Sequence, residues 1–200
     1  RPTIFIDGEP NALPTYSPVG WNEEKFREAV PRFLPHRMGA YFLVVPRPKT
    51  ERDFFANQLW RGDEISSEPL YTPDELTFTM DEQAEQILDG DPRAHVIVRF
   101  GIHEPASWRR LHPEQYFVND DGDTLDTPSL ASDLYWDAAA QFTAHFIDHC
   151  ENRPWSNRLI GYANFHRLEG THHPLLDGWL FDHGEPMQEA WRTFLKEKYG

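Results

Sequence analysis

Four short apolar runs, each followed by a helical pattern, limit what this chain can fold into more tightly than any other feature. The runs are Leu13–Tyr16, Ala40–Val45, His95–Phe100 and a stretch that opens with Leu159-Ile-Gly-Tyr162. After the first come Phe26, Ala29, Val30, Phe33 and Leu34 at helical spacing, with Asn22 placed as N-cap and Pro35 as a stop. A helix is expected over Asp81–Leu88, closed by Gly90 and Pro92. Tyr135, Ala139, Phe142, Phe146 and Cys150 mark a third helix, and Met187, Trp191, Phe194 and Leu195 a fourth, running from Pro186 to Gly200. Strand and helix alternating in this way predict a parallel sheet with right-handed crossovers. Helix-to-strand links read as short and all four strand-to-helix links as long, notably residues 47–76 and 102–131, the latter holding an Asp-Asp-Gly turn at 120–122. Long loops therefore gather at the C-terminal ends of the strands, where a scaffold of this type carries its site.

Four units are too few to close an eight-stranded barrel, and a last helix with nothing after it leaves the final strand an open edge. The chain is either an open α/β sheet or the first half of a (β/α)8 TIM-barrel type fold, with residues 1–200 spanning its first four strand–helix units. The second is the expectation adopted. A short run at Thr3–Ile6, closed by Asp7-Gly8, precedes the first unit.

A formal charge of −14 argues against nucleic acid as a partner, since phosphates need a basic surface. No apolar run approaches the ~20 residues of a membrane-spanning helix. Cys150, alone in the chain, excludes an intramolecular disulfide framework, and its place on an apolar helix stripe predicts a buried structural thiol. The chain opens at Arg1 without Met, so a cytoplasmic location and secretion after leader removal both stay open, as does homo-oligomer formation.

The stretch Arg158–His173 turns abruptly from apolar to ionisable residues, putting Asn164, His166, Arg167 and Glu169 at or just beyond the tip of the fourth strand. Glu169 is the leading candidate for chemistry. Further stretches stand out in order along the chain: Tyr16-Ser-Pro with Trp21-Asn-Glu-Glu, Val98-Arg-Phe followed by Glu104-Pro-Ala-Ser-Trp-Arg-Arg-Leu-His-Pro-Glu114, and Pro128-Ser-Leu-Ala-Ser-Asp-Leu-Tyr-Trp136. Leu159-Ile-Gly-Tyr162 and Ala190-Trp-Arg-Thr-Phe-Leu-Lys-Glu-Lys-Tyr-Gly200 complete the set. Through these motifs the chain, from about Leu13 to Gly200, resembles the catalytic barrel of clan-A glycoside hydrolases, particularly the β-galactosidase-like family 42 group.

The resemblance implies a retaining, two-carboxylate glycosidase acting on β-linked, galactose-type sugars without a cofactor. Glu169 would be its general acid/base, the nucleophile would lie beyond residue 200, and the missing half of the barrel would be a partner. In the family the acid/base Glu commonly follows Asn, whereas here Asn164 and Glu169 are separated by Phe-His-Arg-Leu. As an acid at neutral pH Glu169 needs a raised pKa, supplied by burial or by the second carboxylate. Tyr16, Arg99, Glu104, Trp108, Asn164 and His166 are the expected substrate-binding residues. Trp108, Trp179 and Tyr16 would serve as stacking platforms or as core packing, and Arg99 as a sugar contact or half of a structural ion pair.

Two other readings use the same residues. One is a catalytically inactive barrel that binds carbohydrate. The other is a metal-dependent hydrolase built on His166, Glu169 and His172, within a cluster that also holds His173, Asp177 and His183. That spacing does not match a helical His-Glu-x-x-His motif, so no metal ligand is assigned. No G-x-G-x-x-G or phosphate-loop sequence follows any strand.

Overall fold

The computed structural model describes residues 4–6, 9–11, 15–16, 23–36, 39–45, 59–76, 78–165 and 181–200. In chain order, β1 (Ile4–Ile6) and β2 (Glu9–Asn11) pair as an antiparallel hairpin, with Ile4 opposite Asn11. β3 (Thr15–Tyr16), α1 (Glu23–Phe33) and β4 (Ala40–Val44) follow. Next come a small antiparallel ribbon, β5 (Trp60–Arg61) with β6 (Glu64–Ile65), then α2 (Met80–Gly90) and β7 (His95–Gly101). The chain continues through α3 (Ala106–Leu111), a second ribbon of β8 (Tyr116–Val118) and β9 (Thr124–Pro128), and the long α4 (Asp133–Glu151). β10 (Leu159–Phe165) and α5 (Glu185–Tyr199) complete it.

β3, β4, β7 and β10 form one sheet, parallel throughout, in which they lie side by side in chain order. Each pairs with its successor, so the sheet winds in one direction, without the reversal of order that a doubly wound sheet has at its switch point. The expected alternation of strand and helix is present at all four units. The expected loop asymmetry holds for three of them: residues 45–79, 102–132 and 166–184 separate strand from helix, against 34–39, 91–94 and 152–158 on the return. The first strand-to-helix link, residues 17–22, is as short as the return at residues 34–39.

Burial alternates along β7: Val96, Val98 and Phe100 are buried, while Ile97 and Arg99 are half-buried. Register carries the pattern across the sheet, with Tyr41 opposite Val96 and Leu43 opposite Val98. The helices close on this face, bringing Val30 from α1, Ala84 and Ile87 from α2, and the whole predicted stripe of α4 into one core. Phe100 stacks on Phe146 with ring centroids 4.7 Å apart. The other face, carrying Phe42, Val44, Ile97 and Arg99, stays half-buried. The run at residues 40–45 reads in sequence as a fully buried strand; Tyr41 and Leu43, facing the helices, and Ala40 are so, while Phe42, Val44 and Val45 stay half-buried.

α2 starts at Met80, one residue before the expected Asp81, and runs on to Gly90. Thr79 accepts a hydrogen bond from the Glu82 N–H, and Glu82 accepts one from the Thr79 N–H at 2.7 Å, a reciprocal capping box. One turn in, the buried Gln83 side chain finishes a strand: its Oε1 accepts from the Val44 N–H at 2.9 Å, and its Nε2 donates to the Val44 and Phe78 carbonyls at 2.8 and 3.0 Å. Among the described residues β3 pairs with Ala40 and Tyr41, and these backbone groups of Val44, further along β4, bond to Gln83. Gln83→Leu, similar in size but without polar atoms, leaves them unpaired and should cost about 1–3 kcal/mol in chemical denaturation.

Cys150 lies fully buried at the end of the α4 stripe, and burial pushes its thiol up to about 12. The native protein should resist iodoacetamide at pH 8, and denaturant should release one reactive thiol per chain.

Candidate functional site at the strand tips

The link leaving β7 is ordered by an aromatic cluster. Trp108 on α3 is 2% exposed, and its ring centroid lies about 6 Å from those of Trp60, Tyr116 and Tyr135 and 4.8 Å from His112. Ser132 caps α4 by accepting from the Tyr135 N–H, and Tyr135 then donates its hydroxyl to the Ile102 carbonyl at 3.0 Å, just beyond the tip of β7. Glu104 sits two residues further on. Its Oε1 accepts a 2.6 Å hydrogen bond from the Tyr116 hydroxyl. Burial, and then the negative charge of Glu104, holds that phenol well above the ordinary tyrosine range, so Tyr116 is a neutral donor. The Arg109 guanidinium lies 5.0 Å from the Tyr116 ring centroid and pairs with Asp126 on β9.

The neighbouring links are tied to this one. The β5–β6 turn reverses at Gly62, whose φ of +59° suits a residue without a Cβ. The Gly62 N–H donates to Ser107 Oγ at 2.7 Å, and His112 Nε2 lies 2.6 Å from Asp63. On the other side, the residues before α5 dock on the β8–β9 ribbon. Asp182 accepts from the Val118 N–H, the Gly184 N–H and the Ser129 hydroxyl, while the His183 N–H donates to the Val118 carbonyl. Gly184 is buried there, where a Cβ would meet the Tyr116 carbonyl oxygen at 2.5 Å.

The predicted site residues do not all converge. Arg99 lies on the half-buried face one residue from the end of its buried run, and burial lowers its pKa. Glu104 lies at the tip of the same strand, held by Tyr116. Trp108 does not serve as a stacking platform: the cluster it organises occupies its ring, and the core-packing alternative is the one observed. Asn164 is exposed but on the wrong side. Ile160 is an extra residue in β10, since Leu159 pairs with Val96 and Gly161 with Ile97. Past this bulge Tyr162 is opposite Val98 and Asn164 opposite Phe100, on the helix-covered face, away from Arg99. Tyr162 bears this out by donating to the Ile147 carbonyl of α4. Tyr16 of β3 pairs with Tyr41 of β4, and its side chain lies outside the described residues, as do Trp179, His166, Glu169, His172, His173 and Asp177; His183 is described, with Nε2 2.8 Å from Asp120. Among the described residues, no group of three or more His, Cys, Asp or Glu side chains could hold a metal ion.

Tyr116, Arg109, Asp126 and Asp182 were not singled out by sequence. Tyr116-Phe-Val followed by the Asn-Asp-Asp-Gly turn is a hairpin signal that could have found the first of them. A cavity of about 590 Å³ lined by Pro31, Leu34, Gly90, Pro92 and Arg93 lies at the opposite ends of the strands, where α1 and α2 finish.

No family model matches the sequence, and no curated protein matches it. Among solved structures the chain is similar to a cold-adapted β-galactosidase from Rahnella sp. R3, with a TM-score of 0.53 and 14% identity over 94% of this chain. The match spans 24% of that enzyme, so the chain covers about a quarter of its length. At this identity the likeness is one of fold: a mixed α/β chain with a parallel sheet, similar to part of a glycoside hydrolase.

Gly184→Ala should push residues 182–184 off the β8–β9 ribbon. Amide exchange at Val118 and His183 is expected to rise at least tenfold, with the α2 amides unchanged.

Proposed function

We propose that these 200 residues are the first four strand–helix units of a glycoside hydrolase barrel that cleaves β-linked, galactose-type sugars. The observation that carries the reading is the sheet itself. Parallel strands laid down in chain order send three long links to one end, in a fold similar to that of a β-galactosidase. Glu169, four residues past the end of β10, is the proposed general acid/base. Arg99 and Glu104 are the proposed substrate contacts from the neighbouring strand.

A retaining mechanism needs a second carboxylate about 5–5.5 Å from the first. The proposed source is a further set of strand–helix units, in keeping with the quarter-length match. Two features fit such a continuation. Among the described residues β10 is an edge of the sheet, and α5 keeps Trp191, Phe194, Leu195 and Tyr199 exposed along its length. In a right-handed crossover the helix rests on its own strand and on the next, so a strand added beside β10 would cover that stripe.

Asn164 favours a second reading, a barrel that binds carbohydrate without cleaving it, because it does not adjoin Glu169 as the family's Asn adjoins its acid/base, and the bulge in β10 turns it to the helix-covered face. Glu169→Gln in the complete polypeptide separates the two. Hydrolysis of a nitrophenyl β-galactoside should fall by roughly 10²–10⁴ with sugar binding retained. Turnover equal to the parent would remove Glu169 from the mechanism, and a parent that binds galactose without turnover would establish the binding module.

A further inference from the structure

We propose that Tyr116 is a positioning residue: its hydroxyl fixes the Glu104 carboxylate as an acceptor for sugar hydroxyls, which rests on the glycosidase reading above. Tyr116 is 1% exposed, and a buried phenol must spend its one proton on an acceptor. Here the acceptor is a side-chain carboxylate, at 2.6 Å, on the link that leaves β7. A Glu on a loop otherwise samples several rotamers. Anchoring one oxygen narrows that choice, and the Tyr116 hydroxyl fills one of the roughly four lone-pair sites a carboxylate offers.

The anchor is itself held from three sides. Trp108 packs 6.1 Å from the Tyr116 ring, and the Arg109 guanidinium, paired with Asp126, lies at 5.0 Å. Behind the strand, Gly184 abuts the Tyr116 carbonyl, and Asp182 and His183 bond to the backbone of Val118 two residues on. The link leaving β7 and the end of the link leaving β10 thus act together on one hydroxyl.

Tyr116→Phe removes only that oxygen and keeps the ring that packs in the cluster. The test measures kcat and KM for a nitrophenyl β-galactoside, and the Kd of galactose by calorimetry, in the complete polypeptide. It compares the parent, Tyr116→Phe, Glu104→Gln and the double variant. Glu104→Gln should raise KM and Kd by more than tenfold, and Tyr116→Phe by roughly three- to tenfold with kcat changed less than twofold. The double variant should match Glu104→Gln alone, because Tyr116 acts through Glu104. Asp182→Ala, which loosens the strand without touching the phenol, should shift KM in the same direction, and serves if Tyr116→Phe does not fold.

A parental KM in Tyr116→Phe, or effects that multiply in the double variant, overturns the proposal. So does a parental KM in Glu104→Gln, and if Glu169→Gln is then inactive the glycosidase reading survives it. A parent that neither cleaves nor binds the galactoside removes both.

Discussion

A link of some thirty residues can hold a fixed shape only if it buries apolar surface of its own, and Trp108 is what makes this possible in residues 102–132. Its indole is enclosed by Trp60 from the preceding link, by Tyr116 from its own and by Tyr135 from the first turn of α4. Burying an aromatic of this size outweighs the polar ties around it. His112 with Asp63, His183 with Asp120 and Arg109 with Asp126 are all partly exposed pairs, and such pairs contribute about 0–1 kcal/mol each. The polar contacts choose the alignment of the three links. The cluster supplies the cohesion. Glu104 depends on both, since Tyr116 belongs to the cluster and donates to the carboxylate.

The sheet and its helices were legible because their periodicity is long enough to see. Tyr135, Ala139, Phe142, Phe146 and Cys150 are all buried, as their spacing requires. The links were not legible to the same degree. β5, β6 and β8 have two or three residues each, too few to establish an alternation. Trp108 illustrates a different limit. Its residue type suits a sugar platform and a core equally, and only the placement of Trp60, about fifty residues earlier, decides between them. The capping box at Thr79 and Glu82 was readable in principle, while the Gln83 clamp on Val44 was not, because nothing local in sequence announces a contact thirty-nine residues away.

Asn164 shows how a single residue redirects a site prediction. With continuous pairing from Leu159, Asn164 would fall opposite Gly101 and on the same side as Arg99. The extra residue at Ile160 inverts every later side chain in β10. Gly161 was the available signal, since a lone glycine in a strand pattern often marks a bulge. The same inversion brings Tyr162 against α4, where it contacts Phe100 at 6.3 Å and bonds to the Ile147 carbonyl.

The amide of Gln83 has a consequence for how the molecule behaves in a crowded solution. Among the described residues β3 reaches only Ala40 and Tyr41 of β4, and bare sheet margins recruit the backbones of other chains. By occupying both backbone groups of Val44, a side chain from α2 fills the place of an intruder there. Templated growth into fibrils is thereby discouraged on that flank by one glutamine, at no cost in extra polypeptide.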